Sequence, residues 1–226
     1  MMRYLVDSAT SGQKASTLII LLPGATYLPE DFISQGFVRA VRERDMDIDL
    51  ILPELQFDQI ADQTALNELN LQVVAPAISE YKAIWLAGIS IGGYIAIAHA
   101  HHYPGQIHGL FLMAPYPGNR MTTGEIIHAG GLSTWQPGVI AEGDVERGNW
   151  LWLKHAKAVE IHLGYGTEDR FAEGIVLMEQ AIPASQVDKL PGDHTWPVWQ
   201  QLWSNFLDKQ QAHWKTSPNQ KLAATS

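Results

Sequence analysis

The chain has 226 residues, of which 46% are hydrophobic and 17% charged, so it is long enough for one globular domain and is not intrinsically disordered. Its formal net charge is −9 without a cluster of lysine and arginine, which argues against a nucleic acid partner and against an anionic membrane surface. The absence of cysteine excludes disulfides, thiol catalysis and zinc–thiolate sites.

Two features of the chain bear on its location. Residues 1–12 contain no apolar run typical of a signal peptide, and the longest unbroken aliphatic stretch is Leu18–Leu22. That stretch is far shorter than the roughly 20 residues that cross a bilayer. We therefore expect a cytoplasmic protein that does not insert into membranes.

Short aliphatic runs alternate with longer helical patterns along the chain, which predicts an α/β fold. The sheet should be doubly wound and mainly parallel, with helices on both faces. The predicted strands, the first of them at an edge, are 3–6, 17–22, 48–52, 83–87, 107–113, 159–164 and 187–190.

The predicted helices lie between these strands and after the last one. We expect a single domain over 1–209 and a flexible polar tail over 210–226. The helices are 29–44, 62–81, 91–103, 171–181 and 195–209.

The segment 116–148 interrupts this alternation. It is rich in glycine and has no clear period, and insertions of this length are usually lids or binding loops. We therefore expect a small lid-like insertion over the site, with Tyr116 and Trp135 as substrate-binding residues. Tyr27 is a further candidate for substrate contact, because it lies in the loop after the strand 17–22.

The most informative motif is Gly88-Ile89-Ser90-Ile91-Gly92, which reads G-x-S-x-G. An apolar run at 83–87 precedes it and a helical pattern follows it. A serine at such a strand-to-helix turn is held in a strained conformation with its hydroxyl exposed. The flanking glycines let the helix pass close to the strand, and the N–H of Ile91 points to where an oxyanion would form. The motif predicts that Ser90 is a nucleophile.

A serine nucleophile needs a base, and the base needs an orienting acid. In a doubly wound sheet these groups come from loops at the carboxyl ends of strands. Asp169 follows the strand 159–164 in a G-x-x-D loop, and His194 follows the strand 187–190 in a G-x-H loop. The two loops are about one β–α–β unit apart, so we expect them on adjacent strands. Glu168 is the alternative acid.

On these three motifs the chain resembles the α/β-hydrolase family over about residues 17–207. The order of nucleophile, acid and histidine matches that of the family. The resemblance implies a small single-domain serine esterase or thioesterase. It implies Ser90 as nucleophile, His194 as general base and then acid, and Asp169 as the carboxylate that orients His194.

The resemblance also implies an oxyanion hole made by two backbone N–H groups. One belongs to Ile91, and the other to the loop 23–26, in which Ala25 is the expected donor. The chain departs from the family here, because it has Pro23-Gly24 where His-Gly is common.

We expect hydrolysis of a small-molecule carboxylic ester or thioester through an acyl-enzyme, without a cofactor. His99, His101 and His102 cannot all face one way on a helix, so no metal site is predicted. Two alternatives remain open. One is a catalytically inactive binding protein of the same fold, and the other is an acyltransferase or C–C hydrolase with the same triad. The sequence predicts no oligomeric state.

Overall fold

The computed structural model describes residues 1–9, 14–56 and 64–214. Seven strands form one sheet at its centre. They are β1 (Tyr4–Asp7), β2 (Thr17–Leu22), β3 (Ile48–Pro53), β4 (Ala83–Ile89), β5 (Gly109–Met113), β6 (Glu160–Gly166) and β7 (Val187–Leu190).

The strand order across the sheet is β1-β3-β2-β4-β5-β6-β7. β1 pairs antiparallel with β3, and every other neighbouring pair is parallel. All six residues of β2 are buried, as expected for an aliphatic strand covered on both faces. The doubly wound, mainly parallel α/β fold is confirmed, and all seven predicted strands are present.

Nine α-helices surround the sheet in the described residues, and a short 3₁₀ helix at Ala184–Gln186 precedes β7. A five-residue π-helical turn, Asn70–Val74, joins the third and fourth of these α-helices. The helices are α1 (Pro29–Ser34), α2 (Phe37–Arg42), α3 (Thr64–Leu69), α4 (Ala75–Ala77), α5 (Ile91–His102), α6 (Arg120–His128), α7 (Val145–His155), α8 (Ala172–Glu179) and α9 (Trp196–Gln210).

The helices cover both faces of the sheet. Helix α5 packs on β2, β4 and β5, with α3 and α7 against it. Helix α9 packs on β5, β6 and β7 from the other face, together with α2. The carboxyl ends of the parallel strands therefore meet at one edge of the sheet, between these two helical layers.

The prediction of one helix over 29–44 is wrong, because two helices meet there at a turn. Gly36 has a φ of 80° and forms the N-cap of α2. Because this backbone conformation is left-handed, the preceding helix α1 ends before Gly36. The predicted start of the next helix, at Asp62, lies outside the described residues. From Thr64 onward that helix is present.

The sequence suggested an irregular segment over 116–148. The structure instead has helices in part of this segment. It contains α6 and the start of α7. The side chain of Asn119 caps α6 by accepting hydrogen bonds from the N–H groups of Met121 (2.9 Å) and Thr122 (3.0 Å). Glycines inside both helices, Gly124 and Gly148, obscure their periodicity in the sequence.

The first residues of the predicted tail, 210–214, include residues that pack against the sheet and α9, and the rest of that tail lies outside the described residues. Gln210 is buried, and its amide contacts His162 at 3.1 Å. Trp214 packs its ring on Trp85 and Phe206. The packing therefore continues at least to Trp214. None of the helices in the described part of the chain has the length and apolar character of a membrane span.

Candidate active site

Ser90 lies at the turn between β4 and α5, with φ 54° and ψ −117°. Its N–H donates to the carbonyl of Met113 (3.0 Å), and its own carbonyl accepts from the N–H of Gly93 (3.0 Å). A positive φ at a non-glycine residue is strained and persists only when its surroundings enforce it. These hydrogen bonds hold the predicted elbow in place.

The two glycines of the elbow are required by close backbone contacts. A Cβ on Gly92 would lie 2.3 Å from the carbonyl oxygen of Leu22 at the end of β2. A Cβ on Gly88 would lie 2.4 Å from the backbone of Gly92. Only glycine allows β4 and α5 to approach in this way.

Backbone strain is concentrated at this edge of the sheet. Four non-glycine residues in the described chain have positive φ, and three of them follow adjacent parallel strands. Thr26 (70°) follows β2, Ser90 (54°) follows β4 and Ala114 (47°) follows β5. Strained residues cluster at functional sites, so this edge is the natural candidate for the active site.

The predicted acid and base are hydrogen-bonded to each other. His194 Nδ1 and Asp169 Oδ2 are 2.7 Å apart, and the Asp169 side chain is fully buried. The other carboxylate oxygen, Oδ1, accepts from the N–H of Phe171 at 2.8 Å. With Nδ1–H donating to Asp169, the Nε2 of His194 is the atom left to accept a proton. Glu168 is exposed and has no bond to His194 in the described hydrogen bonds.

The two loops meet the elbow through a chain of contacts. Asp169 follows β6 and His194 follows β7, which are adjacent parallel strands as predicted. The N–H of Tyr116 donates to the carbonyl of Ser90 (2.9 Å), and its ring lies 5.4 Å from that of Phe171. The Phe171 ring is in turn 5.1 Å from His194.

The hydrogen bonds of the described residues include none from Ser90 Oγ to His194. Such a bond is often long in an unliganded enzyme and tightens when substrate binds.

The predicted oxyanion donors lie on two neighbouring segments. Ile91 is the first residue of α5, where backbone N–H groups have no intrahelical acceptor. The loop 23–26 approaches the elbow closely, because a Cβ on Gly92 would also meet the Pro23 carbonyl oxygen at 2.7 Å. A hydrogen bond from the N–H of Tyr27 to the carbonyl of Gly24 (3.2 Å) closes a turn with Ala25 exposed at its tip.

The three predicted substrate-binding residues have different surroundings. Tyr116 is half-buried beside Ser90, as described above. Tyr27 is half-buried and packs against Trp196 (4.8 Å) and Trp199 (5.9 Å). Trp135 is 3% exposed and lines a cavity of about 680 Å³ in the insertion, whose lining does not include Ser90, Asp169 or His194.

Sequence reasoning missed three aromatic residues at this edge. Phe171 and Trp199 contact the His194 ring. Trp199 lies five residues after His194, on the first turn of α9. Tyr94 is one turn after Ser90 and lines a cavity of about 290 Å³ with Glu146. Burial, and then the charge of Glu146, raises the pKa of Tyr94 above its usual range.

Within the described ranges, no group of three or more histidine, aspartate or glutamate side chains is arranged to hold a metal ion. His101 and His102 line a cavity of about 510 Å³ with His155. His99 faces away from that cavity, because it is completely buried and bonded to Asn70.

Residues 63–207 match the family model Esterase, whose description is "Putative esterase". The chain belongs to this family. It is therefore a hydrolase that acts on esters, and the suspected membership of the α/β-hydrolases is confirmed. No curated protein sequence matches the chain significantly.

Solved structures agree with this fold at low sequence identity. S-formylglutathione hydrolase from Staphylococcus aureus is 14% identical with a TM-score of 0.65, covering 93% of this chain and 90% of its own. The S-formylglutathione hydrolase from Agrobacterium tumefaciens is 15% identical with a TM-score of 0.63, covering 93% and 89%. Fluorophosphonate-binding serine hydrolase F of Staphylococcus aureus is 13% identical with a TM-score of 0.58, covering 93% and 98%.

Proposed function

We propose that the protein hydrolyses a small-molecule carboxylic ester through an acyl-enzyme on Ser90. The observation that carries this proposal is the buried Asp169 bonded to His194, at the strand ends next to the strained Ser90. Metal ions and cofactors have no role in the proposed reaction.

In the proposed first step, His194 Nε2 takes the proton of Ser90 as Oγ attacks the ester carbonyl. Asp169 holds Nδ1–H and stabilises the imidazolium that forms. The N–H groups of Ile91 and Ala25 stabilise the oxyanion, and His194 then protonates the leaving alcohol. His194 then deprotonates a water that attacks the acyl-enzyme, and it returns that proton to Ser90 Oγ as the acid is released.

A thioester is the second candidate substrate. Two of the similar solved structures are S-formylglutathione hydrolases by name, and S-formylglutathione is a thioester. The same acyl-enzyme chemistry cleaves either bond, because both present a carbonyl to the nucleophile. Tyr27 and Tyr116 are the proposed substrate contacts, since both are half-buried next to the proposed machinery.

We also propose that the enzyme works in the cytoplasm, because a chain without cysteine is suited to a reducing compartment. Cell fractionation followed by immunodetection tests this location. Recovery only in an extracytoplasmic fraction would contradict it.

Steady-state kinetics on matched esters and thioesters test the proposed reaction. We would compare p-nitrophenyl acetate with an acetyl thioester for the wild type and Ser90→Ala. Released thiol can be followed with a thiol-reactive dye, because the enzyme contributes no cysteine. We expect Ser90→Ala to lower kcat by at least about 10³-fold on both substrates. Wild-type kcat in a folded Ser90→Ala variant would contradict the proposal. The ratio of the wild-type kcat/KM values for the ester and the thioester shows which of the two is the better substrate.

A further inference from the structure

The imidazole of His194 is contacted by two aromatic rings. The Phe171 ring lies 5.1 Å away with its plane at 89°, and the Trp199 ring lies 5.0 Å away at 85°. No ring contact joins Phe171 to Trp199 in the described part of the chain. The two rings therefore approach the imidazole from different directions, each in an edge-to-face arrangement, which is a favourable geometry.

Both rings are held by other parts of the site. Trp199 is 1% exposed on the first turn of α9, and its ring also contacts Tyr27 (5.9 Å) next to the oxyanion loop. Phe171 donates its backbone N–H to Asp169, and its ring contacts Tyr116 (5.4 Å) beside Ser90. The two rings thus connect the base to Asp169, and through Tyr116 and Tyr27 to the turn at Ser90 and the loop 23–26.

The base needs such support because its one described hydrogen bond fixes only one atom of the ring. The bond from Nδ1 to Asp169 restrains the torsion about the Cβ–Cγ bond of His194, which is intrinsically broad, at one side of the ring only. Rings packed perpendicular to the imidazole restrict this torsion further.

The indole nitrogen of Trp199 supports this interpretation. Trp199 Nε1 is buried and has no hydrogen-bond partner among the described residues, so its desolvation is not compensated. The neighbouring Trp203 differs, because its Nε1 donates to the carbonyl of Phe37 (3.0 Å). Since its indole N–H makes no such bond, Trp199 acts on His194 through the contact between their rings.

We propose that Trp199 and Phe171 are positioning residues that hold the His194 ring plane with Nε2 directed at Ser90. This inference rests on the proposed role of His194 as the catalytic base. Neither residue transfers a proton or takes part in bond making.

The test compares three variants of α9 on p-nitrophenyl acetate. Trp199→Leu removes the ring and should lower kcat by about 10- to 100-fold, with KM changed less than about twofold, because misplacement of the base affects only the chemical step. Trp199→Phe keeps an aromatic face and should stay within about threefold of the wild-type kcat. Trp203→Leu is the matched control at the same 1% exposure, and it should keep full kcat even if less stable.

A spectroscopic measurement separates positioning from general loss of stability. The His194 Nδ1–H should give a resolved, strongly downfield proton NMR signal in the wild type and in Trp199→Phe. In Trp199→Leu we expect that signal to broaden or vanish, whereas it should persist in Trp203→Leu. Phe171→Leu retains the backbone bond to Asp169 and provides the second variant, with the same expected loss of kcat and signal, if Trp199→Leu does not fold.

The inference is overturned if folded Trp199→Leu and Phe171→Leu both keep wild-type kcat and the downfield signal. It is equally overturned if Trp203→Leu loses as much kcat as Trp199→Leu. Failure of the proposed function gives a different result, since His194→Ala would then keep wild-type kcat. In that case the NMR signal still reports whether the two rings hold the imidazole.

Discussion

At the residue scale, the side chains of Asp169 and Glu168 differ chiefly in burial. Asp169 is enclosed and bonded on both carboxylate oxygens, whereas the adjacent Glu168 faces solvent. The sequence placed both carboxylates in the same loop and could not separate them, because the loop conformation decides which one turns inward. The N–H of Asp169 donates to the carbonyl of Gly166 (3.1 Å), and this turn directs its side chain toward His194.

We expect Asp169→Asn to lower kcat by about 10⁴-fold with little change in fold, because an amide favours the wrong histidine tautomer. Glu168→Gln is the matched control in the same loop and should stay near the wild-type kcat. Steady-state kinetics on p-nitrophenyl acetate, with circular dichroism to verify folding, make the comparison. A large loss in Glu168→Gln together with an active Asp169→Asn would reverse the assignment.

His99 provides a residue-scale prediction about acid stability. It is completely buried on α5, with Nε2 at 3.2 Å from Asn70 Oδ1 and with Nδ1 unpartnered. Burial, and then the charge of His102, lowers the pKa of His99 to about 4 from its usual 6.5. The unfolded chain therefore takes up this proton at higher pH than the folded protein does.

We expect His99 to make the protein lose stability as pH falls from about 6.5 toward 4. Its contribution at pH 5 should be a loss of about 2 kcal/mol relative to pH 7. Urea unfolding of the wild type and of His99→Gln at both pH values measures this difference, with His128→Gln as an exposed control. Equal acid losses in the wild type and His99→Gln would show that His99 is not the cause.

At the scale of elements, the elbow is where the sequence was most informative. The G-x-S-x-G spacing predicted a turn that the backbone adopts, because both glycines sit where a Cβ has no room. The helices of the insertion were harder to predict. Gly124 lies inside α6 with open space around it, so its presence reflects no packing demand and only weakens the helical pattern.

These two glycines give a matched prediction. Gly92→Ala should destabilise the protein by about 1–3 kcal/mol or more, because its Cβ would press on the end of β2. Gly124→Ala should instead be neutral or stabilise by up to about 1 kcal/mol, since alanine favours helix. Chemical unfolding of both variants tests the pair, and similar effects at the two positions would contradict this account of the elbow.

At the scale of the whole molecule, the periodicity of the chain predicted the layers, while long-range contacts set the boundaries of the domain. Alternating aliphatic runs were enough for a parallel sheet, and motifs at strand ends were enough to predict that Asp169 and His194 lie together. The segment after α9 is polar and rich in small residues, so the sequence favoured a tail from 210. The start of this segment is nevertheless packed, because Trp214 is buried and its backbone carbonyl accepts a hydrogen bond from the N–H of Asp47 at 2.7 Å.

We therefore expect Trp214→Ala to lower the free energy of unfolding by about 3–5 kcal/mol, the usual cost of removing a buried tryptophan ring. The adjacent His213 is exposed, and His213→Ala should change stability by less than about 0.5 kcal/mol. Urea unfolding monitored by circular dichroism measures both. Wild-type stability of Trp214→Ala would mean that the domain does not depend on this segment.

The proposed catalytic site at the carboxyl edge of the sheet depends on an activated serine at position 90. The most direct measurement is labelling with a fluorophosphonate probe, followed by proteolysis and mass spectrometry of the wild type and Ser90→Ala. We expect a single adduct on the peptide that contains Ser90, and no adduct in the variant. A folded wild type that stays unlabelled, or an adduct on another residue, would contradict the proposed acyl-enzyme on Ser90.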